Sequence, residues 1–161
     1  MRVGSGFDVH PFSEDRRRPL VLGGVMVEDT AGLAGHSDAD VVAHAVADAM
    51  LGAAALGDLG SRFGVDDPAT ADADSLQLLA AVAADVDAAG WELGNLDVTV
   101  IAQRPRLAPH REAMCANIAG CLGCQVDQVS VKFTTTDRLG SIGRAEGIAA
   151  WATCLLTSRH G

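Results

Sequence analysis

GHSDADVVAHAVADAMLGAAALGD, residues Gly35–Asp58, is a run of Ala, Val and Leu behind a polar start, and such a run favours helix. His36 and Ser37 open it, where a serine or aspartate side chain can cap a helix, so a helix is expected from about Ser37 to Leu56. On that helix Asp40, His44 and Asp48 recur every four residues and share one face, a polar stripe on an otherwise apolar cylinder. The stripe needs a partner. The N-terminal GSGFDVH supplies one, because Asp8 and His10 are two apart and point the same way on a strand. Asp8, His10 and His44 then offer three metal ligands. Two imidazoles and a carboxylate are the usual protein share of an open tetrahedral Zn²⁺ site, with the fourth position left for water or substrate. Taken singly, Asp-x-His is a common pair and His44 an ordinary hydrogen-bonded helix histidine; only the combination points to a metal.

Working outward, 161 residues suit one well-cored domain, residues 1–161, and are too few for two comfortable ones. Hydrophobic residues at 48% and charged residues at 20% are the balance of a globular protein, and no apolar run has the length and flanks of a membrane helix. MRVGSGFDVH lacks the basic, apolar and small-residue succession of a secretion signal, so export is not indicated and a cytoplasmic location is expected. A net charge of −9 argues against nucleic acid as the partner, so a bound anion would be held locally by a metal or a helix end. Cys115, Cys121, Cys124 and Cys154 fit a reducing compartment better than a disulfide framework. The lone C-x-x-C ends an expected helix at Gly123, so neither a zinc ribbon nor a redox motif is expected there.

Arg2–His10 reads as a strand, and Pro19–Val27 as a second element broken by Gly23 and Gly24 at a bulge or bend. Arg16, Arg17 and Arg18 lie between them and read as a solvated face. The Gly- and Asp-rich stretch Gly57–Asp74 has no periodicity and reads as a long loop of the kind that covers an active site. Further helices are expected at Ser75–Ala89, capped by Asp74 and stopped by Gly90, and at Pro109–Leu122. Strands are expected at Leu96–Gln103, Val129–Thr136 and Ile148–Thr157. Strands and helices mix without strict alternation, which predicts an α+β sandwich, ferredoxin-like, with helices on one face of a mixed or antiparallel sheet.

Two more places carry chemistry. Thr134, Thr135 and Thr136 end a strand as a run of hydroxyls before Asp137; such an end can donate to phosphate while the carboxylate holds a second divalent cation. LGSIGRAEGI is glycine-rich but lacks the GK[ST] of a Walker loop, and its Arg144 and Glu146 read either as anion capture or as a plain ion pair.

Collinear stretches from RVGSGFDVHPF through GHSDADVVAHAVADAMLGAAALGDLG, DVTVIAQRPRLAPH and TTTDRLGSIGRAEGIA span nearly the whole chain. In them the sequence resembles the 2-C-methyl-D-erythritol 2,4-cyclodiphosphate synthases of the non-mevalonate isoprenoid pathway. The resemblance implies a homotrimer with active sites between subunits, a Zn²⁺ in each, and a second cation, Mg²⁺ or Mn²⁺, on the substrate's diphosphate. It implies that 4-diphosphocytidyl-2-C-methyl-D-erythritol 2-phosphate is converted to the cyclic diphosphate and CMP.

By position, the resemblance makes Asp8, His10 and His44 the zinc ligands, with Val9 between them also at the substrate, and His36 and Thr135 the groups that orient phosphate in the transition state. Ser37 would touch substrate, and Asp58, Leu59, Gly60, Phe63, Gly64, Val65, Asp66 and Asp67 would line the methylerythritol pocket. Ala102, Gln103, Arg104, Pro105, Arg106, Leu107 and Ala108, with Thr134, Thr135, Thr136 and Asp137, would form the cytidine and diphosphate pocket of the neighbouring subunit. Asp137 would hold the second cation, and Ser141 and Arg144 would belong to the substrate-binding set, Arg144 reaching phosphate near the trimer axis.

The chain departs from the pattern in places. Asp137 stands for the usual glutamate, Ala39 and Ala145 for glycines, Val65 for an aspartate, and Ser141 and Trp151 for an aromatic and a glutamate. The two alanines are expected to fit if their φ is negative. The alternatives are a catalytically silent trimeric binder of cytidine or isoprenoid diphosphates, and a phosphohydrolase in which water attacks.

Overall fold

The computed structural model describes residues 1–35, 37–64 and 74–159; His36, Val65, Asp66 and Asp67 from the candidate set lie outside them. Strand β1 (Arg2–Pro11) is followed by a hairpin, β2 (Leu20–Leu22) and β3 (Val25–Val27), then helices α1 (Val41–Ala54), α2 (Leu59–Phe63) and α3 (Ser75–Ala88). Strand β4 (Trp91–Ile101), helix α4 (Arg111–Leu122), strand β5 (Val129–Thr134), the turn of helix α5 (Gly140–Gly143) and strand β6 (Gly147–Ser158) complete it. The main sheet runs β1-β6-β4-β5, antiparallel except for the parallel β4–β5 pair. The expected mixed sheet with helices on one face is what forms.

Period-two alternation sets that face. In β6, Ile148, Ala150, Ala152, Cys154 and Leu156 are buried under the helices while Trp151 points outward, 52% exposed. α1 lies across β1 and β6, with α3 on its other flank and α4 beyond it over β5. Eleven of its fourteen residues are buried, as an all-round apolar helix requires; the three that are not, His44, Asp48 and Gly52, are four apart. His44 and Asp48 of the polar stripe therefore lie on the one edge of α1 left open, whereas Asp40 is buried. Its backbone also rests directly on β1, because a Cβ added at Gly4 or Gly6 would strike the Ala49 or Ala45 carbonyl.

Several expectations are corrected. α1 starts at Val41, and Asp40, not Ser37, caps it. Asp40 is wholly buried and accepts from four amides, Gly23, Gly24, Val42 and Ala43, which pins the hairpin to the helix start. Gly23 and Gly24 have φ of 56° and 68°, the geometry of a two-residue hairpin turn rather than a bulge. Leu59–Phe63 and Gly140–Gly143, expected as loop, are short helices, the first closed by a capping box between Asp58 and Ser61. β4 begins at Trp91, five residues early, because pairing with β6 continues past a register shift at Leu93/Asn95. Ala39 and Ala145 have φ of 57° and 58°, so the condition of negative φ fails and both alanines sit in the left-handed region.

Candidate functional site

β1 delivers Asp8 and His10 to the face that α1 covers, and the open edge of α1 delivers His44 to the same point. Asp8 Oδ2 lies 3.2 Å from His10 Nε2 and 2.9 Å from His44 Nδ1. The three donor atoms fall within 4.8 Å of one another, the one group of His, Cys, Asp and Glu among the described residues able to hold a metal ion. One carboxylate oxygen facing two ring nitrogens, all half-buried, matches the donor set of an open zinc site. Val9, between the two β1 ligands, faces the opposite side of the sheet and is exposed.

The electrostatics agree. Burial pushes the Asp8 carboxyl up, but the hydrogen bonds and charges of His10 and His44 outweigh it and hold the group far below the usual carboxylate range. The same bond to Asp8 raises His10 against the opposing effect of burial, and the ring also donates to the Ala34 carbonyl. A Cβ at Gly35 would come 3.1 Å from the His10 ring, so the chain passes close over the ligand there.

Around these ligands the structure places groups that the spacing did not flag. Ser37 is buried with its hydroxyl 3.2 Å from His44 Nε2. Ser75, at the start of α3, is 2.9 Å from the same nitrogen and bonded to Asp38. Arg18 turns inward and donates to the Ser37 carbonyl, with its Nε buried and unpartnered among the described residues, so of the three arginines only Arg16 and Arg17 belong to the solvated face. Asp48, one turn beyond His44, accepts the Leu59 amide at 2.7 Å, which tethers Asp58, Leu59 and Gly60 to α1 beside the ligands. Phe63, at the end of α2, packs against the core, and Gly64 caps that helix with φ 77°.

The remaining candidates gather elsewhere. A cavity of about 400 Å³ is lined by Ala102–Ala108 and by Phe133, Thr134 and Thr135. The Arg138 amide donates to Gln103 Oε1 at 3.2 Å, joining the two walls, and the Asp137 amide donates to Thr135 Oγ1 at 3.1 Å. Asp137 and Arg138 take φ of 51° and 67°, a tight turn that swings the Asp137 carboxylate back to 3.4 Å from the Thr135 hydroxyl. Arg144 is paired with Glu146 at 2.6 Å, and Ser141 is exposed on α5. A second cavity, about 310 Å³ between Trp91 and Leu122, carries none of the candidate residues.

The register shows what one chain does not bring together. Val9 pairs with Ala149, Ala149 with Ile101, and Ile101 with Thr134. The metal group and the Thr134–Asp137 turn thus stand at the same end of the sheet but on its two opposite edges, three strand spacings or about 14 Å apart.

Known proteins match both sequence and fold. The YgbB family model matches residues 1–157. A 2-C-methyl-D-erythritol 2,4-cyclodiphosphate synthase of Thiobacillus denitrificans is 54% identical over 97% of this chain and 96% of its own, and one from Thermosynechococcus vestitus is 50% identical over 98% and 97%. Among solved structures, the bifunctional IspDF of Campylobacter jejuni superposes with a TM-score of 0.93 at 44% identity; the match takes in 98% of this chain and 42% of that longer one. The CDP complex of IspF from Plasmodium falciparum superposes with a TM-score of 0.86 at 32% identity, over 98% and 96% of the two chains. With the Asp8, His10 and His44 group in place and a match over almost its full length, the chain belongs to the YgbB family.

Proposed function

We propose that this chain is a cyclodiphosphate synthase, a phosphorus–oxygen lyase that converts 4-diphosphocytidyl-2-C-methyl-D-erythritol 2-phosphate to 2-C-methyl-D-erythritol 2,4-cyclodiphosphate and CMP. The observation that carries this reading is the convergence of Asp8, His10 and His44 on one point, in a chain 54% identical to a protein of that name. An oxygen of the 2-phosphate attacks the β-phosphorus, and the bond from that phosphorus to the oxygen bridging it to the α-phosphate breaks, so CMP leaves with the electron pair. The nucleophile is already an anion, so no protein nucleophile is required and the barrier is repulsion and positioning.

Asp8, His10 and His44 would hold Zn²⁺, and Asp137 Mg²⁺ or Mn²⁺; such ions polarise phosphoryl oxygens and offset the charge on the leaving group. Thr135 donates its hydroxyl to a phosphate oxygen, and His36 orients the phosphates. Ser37 and the Asp58–Gly60 turn, with Phe63, Gly64, Val65, Asp66 and Asp67, hold the methylerythritol. The cavity at Ala102–Ala108 takes the cytidine, consistent with a family neighbour solved with CDP.

The chain acts as a single ferredoxin-like domain in a homotrimer, and the edge-to-edge separation of its two half-sites supports that assembly. A head-to-tail ring brings the β1 edge of one copy to the β5 edge of the next and completes each site from two chains. The uncovered sheet face offers apolar surface for it: Phe7 and Trp151 are 51% and 52% exposed, their rings 5.9 Å apart. Arg144 and Ser141 would then approach the axis. No helix among the described residues is long and apolar enough to cross a membrane, and we place the enzyme in the cytoplasm with no nucleic-acid partner.

The test is ³¹P NMR of metal-replete protein with the cytidyl substrate, beside a His44→Ala control. A cyclic diphosphate with CMP, lost in the control, supports the synthase. A linear product would point to hydrolysis, and no turnover despite bound zinc and CDP to a silent binding protein.

A further inference from the structure

Ser75 is 1% exposed at the first turn of α3. Its amide donates to Asp38 Oδ2 at 3.1 Å, its hydroxyl donates to Asp38 Oδ1, and the same hydroxyl oxygen lies 2.9 Å from His44 Nε2. A hydroxyl has one proton to give, and an ionised carboxylate can only accept. The Asp38 carboxylate, which also receives the Asp40 amide at 3.2 Å, therefore takes the Ser75 proton. Ser75 Oγ is left as an acceptor, and His44 Nε2 must carry the hydrogen that meets it. In a metal-bound neutral ring Nδ1 then keeps its lone pair for the cation, and Nδ1 is the nitrogen 2.9 Å from Asp8 Oδ2 in the ligand group.

From this proton count we propose that Asp38 and Ser75 are positioning residues that fix the His44 tautomer and ring plane for metal binding, a carboxylate–serine–histidine relay running from Asp38, ahead of α1, through Ser75 of α3 into the site. The proposal rests on the metal reading of Asp8, His10 and His44. It gives α3 a task beyond packing: the helix inserts its first side chain behind the ligand that α1 supplies. Ser37 Oγ, 3.2 Å from the same nitrogen and 3.4 Å from Ser75 Oγ, closes the cluster and itself accepts the Ala39 amide. Partners of this kind set ligand orientation and basicity, and losing one typically lowers metal affinity about 10–100-fold.

The experiment has two arms on the full chain. In the zinc-loaded wild type, long-range ¹H–¹⁵N NMR of the histidine rings should find His44 protonated on Nε2 with Nδ1 on the metal. Zinc affinity, read by competition with a chromophoric chelator, should fall about 10–100-fold in Ser75→Ala and recover in Ser75→Thr. It should fall comparably in Asp38→Asn, which keeps the shape but can donate toward Ser75. A His44 ring bound through Nε2 overturns the relay, and so does wild-type affinity in both Ser75→Ala and Asp38→Asn. The NMR arm decides even if a variant does not fold. A wild-type chain that takes up no zinc would remove the metal reading and the relay together; unchanged variants of a zinc-binding chain would remove the relay alone.

Discussion

Asp8 Oδ2 stands 2.9 Å from His44 Nδ1 although 36 residues separate the two in sequence. The contact exists because α1 lies directly on β1 at Gly4 and Gly6 and its one open edge faces the end of that strand. Packing and chemistry are thus coupled at the same interface.

The first prediction concerns protons. His10 titrates above its ordinary 6.5 because of Asp8, whereas Asp8 stays ionised far below neutral pH. A raised folded-state value means that the pair's contribution to the metal-free fold is fully present below 6.5 and is lost as pH rises through the raised value. Zinc uptake has the opposite sign, because the cation must displace the His10 proton. Urea midpoints of the metal-free chain should hold below pH 6.5 and fall as pH rises above it, while zinc affinity climbs over the same rise; a rising midpoint would contradict the pairing.

Thr135 is exposed, and among the described residues its hydroxyl meets only its own turn. Thr135→Val should leave the thermal midpoint nearly unchanged while turnover drops about 10²-fold, the usual effect of removing one donor to developing charge. Equal loss of stability and activity would show that the hydroxyl holds the turn and not the phosphate.

Gly6 is fixed by the helix above it. An added Cβ would meet the Ala45 carbonyl, the Ala49 amide at 2.7 Å and Asp48 Cβ at 2.9 Å, mostly backbone that cannot yield. Gly6→Ala should destabilise by about 1–3 kcal/mol and weaken zinc binding as α1 lifts from β1. Gly52→Ala in α1 is the control: among the described residues beyond the helix's own backbone nothing lies within 4 Å of the added Cβ, and the helix should gain about 0.5–1 kcal/mol. Thermal denaturation of the two variants in parallel reads both.

Ala145 holds φ at 58°. An L-residue pays about 1–2 kcal/mol in that region, and glycine gives back about 0.4–1 kcal/mol through the freer unfolded chain. Ala145→Gly should therefore stabilise by roughly 0.5–1 kcal/mol; a lower melting midpoint would mean that the methyl's contacts outweigh the strain.

The ligand set is legible in the sequence because two short-range periods announce it. Asp8 and His10 are two apart on a strand, and His44 lies on a helix whose other faces are apolar. The cytidine-pocket candidates are legible by resemblance, and Ala102–Ala108 do wall one cavity with Thr134 and Thr135. The helix cap is not, because Ser37, Asp38 and Asp40 are all able caps, and the choice falls to Asp40 through the amides of a distant hairpin. Arg18 and Ser75 give no signal, since each becomes part of the site only through where another element lands.

By itself the sequence determined the main strands and the three long helices, the mixed α+β class and the metal-ligand types, because these follow from hydrophobic periodicity and donor chemistry acting within a few residues. Tertiary structure alone decided which buried side chains stand behind those ligands and that the metal group and the Thr134–Asp137 turn occupy opposite edges of one sheet. Strand order and helix docking come from burying apolar faces against partners far along the chain, and no local spacing encodes which partner is chosen.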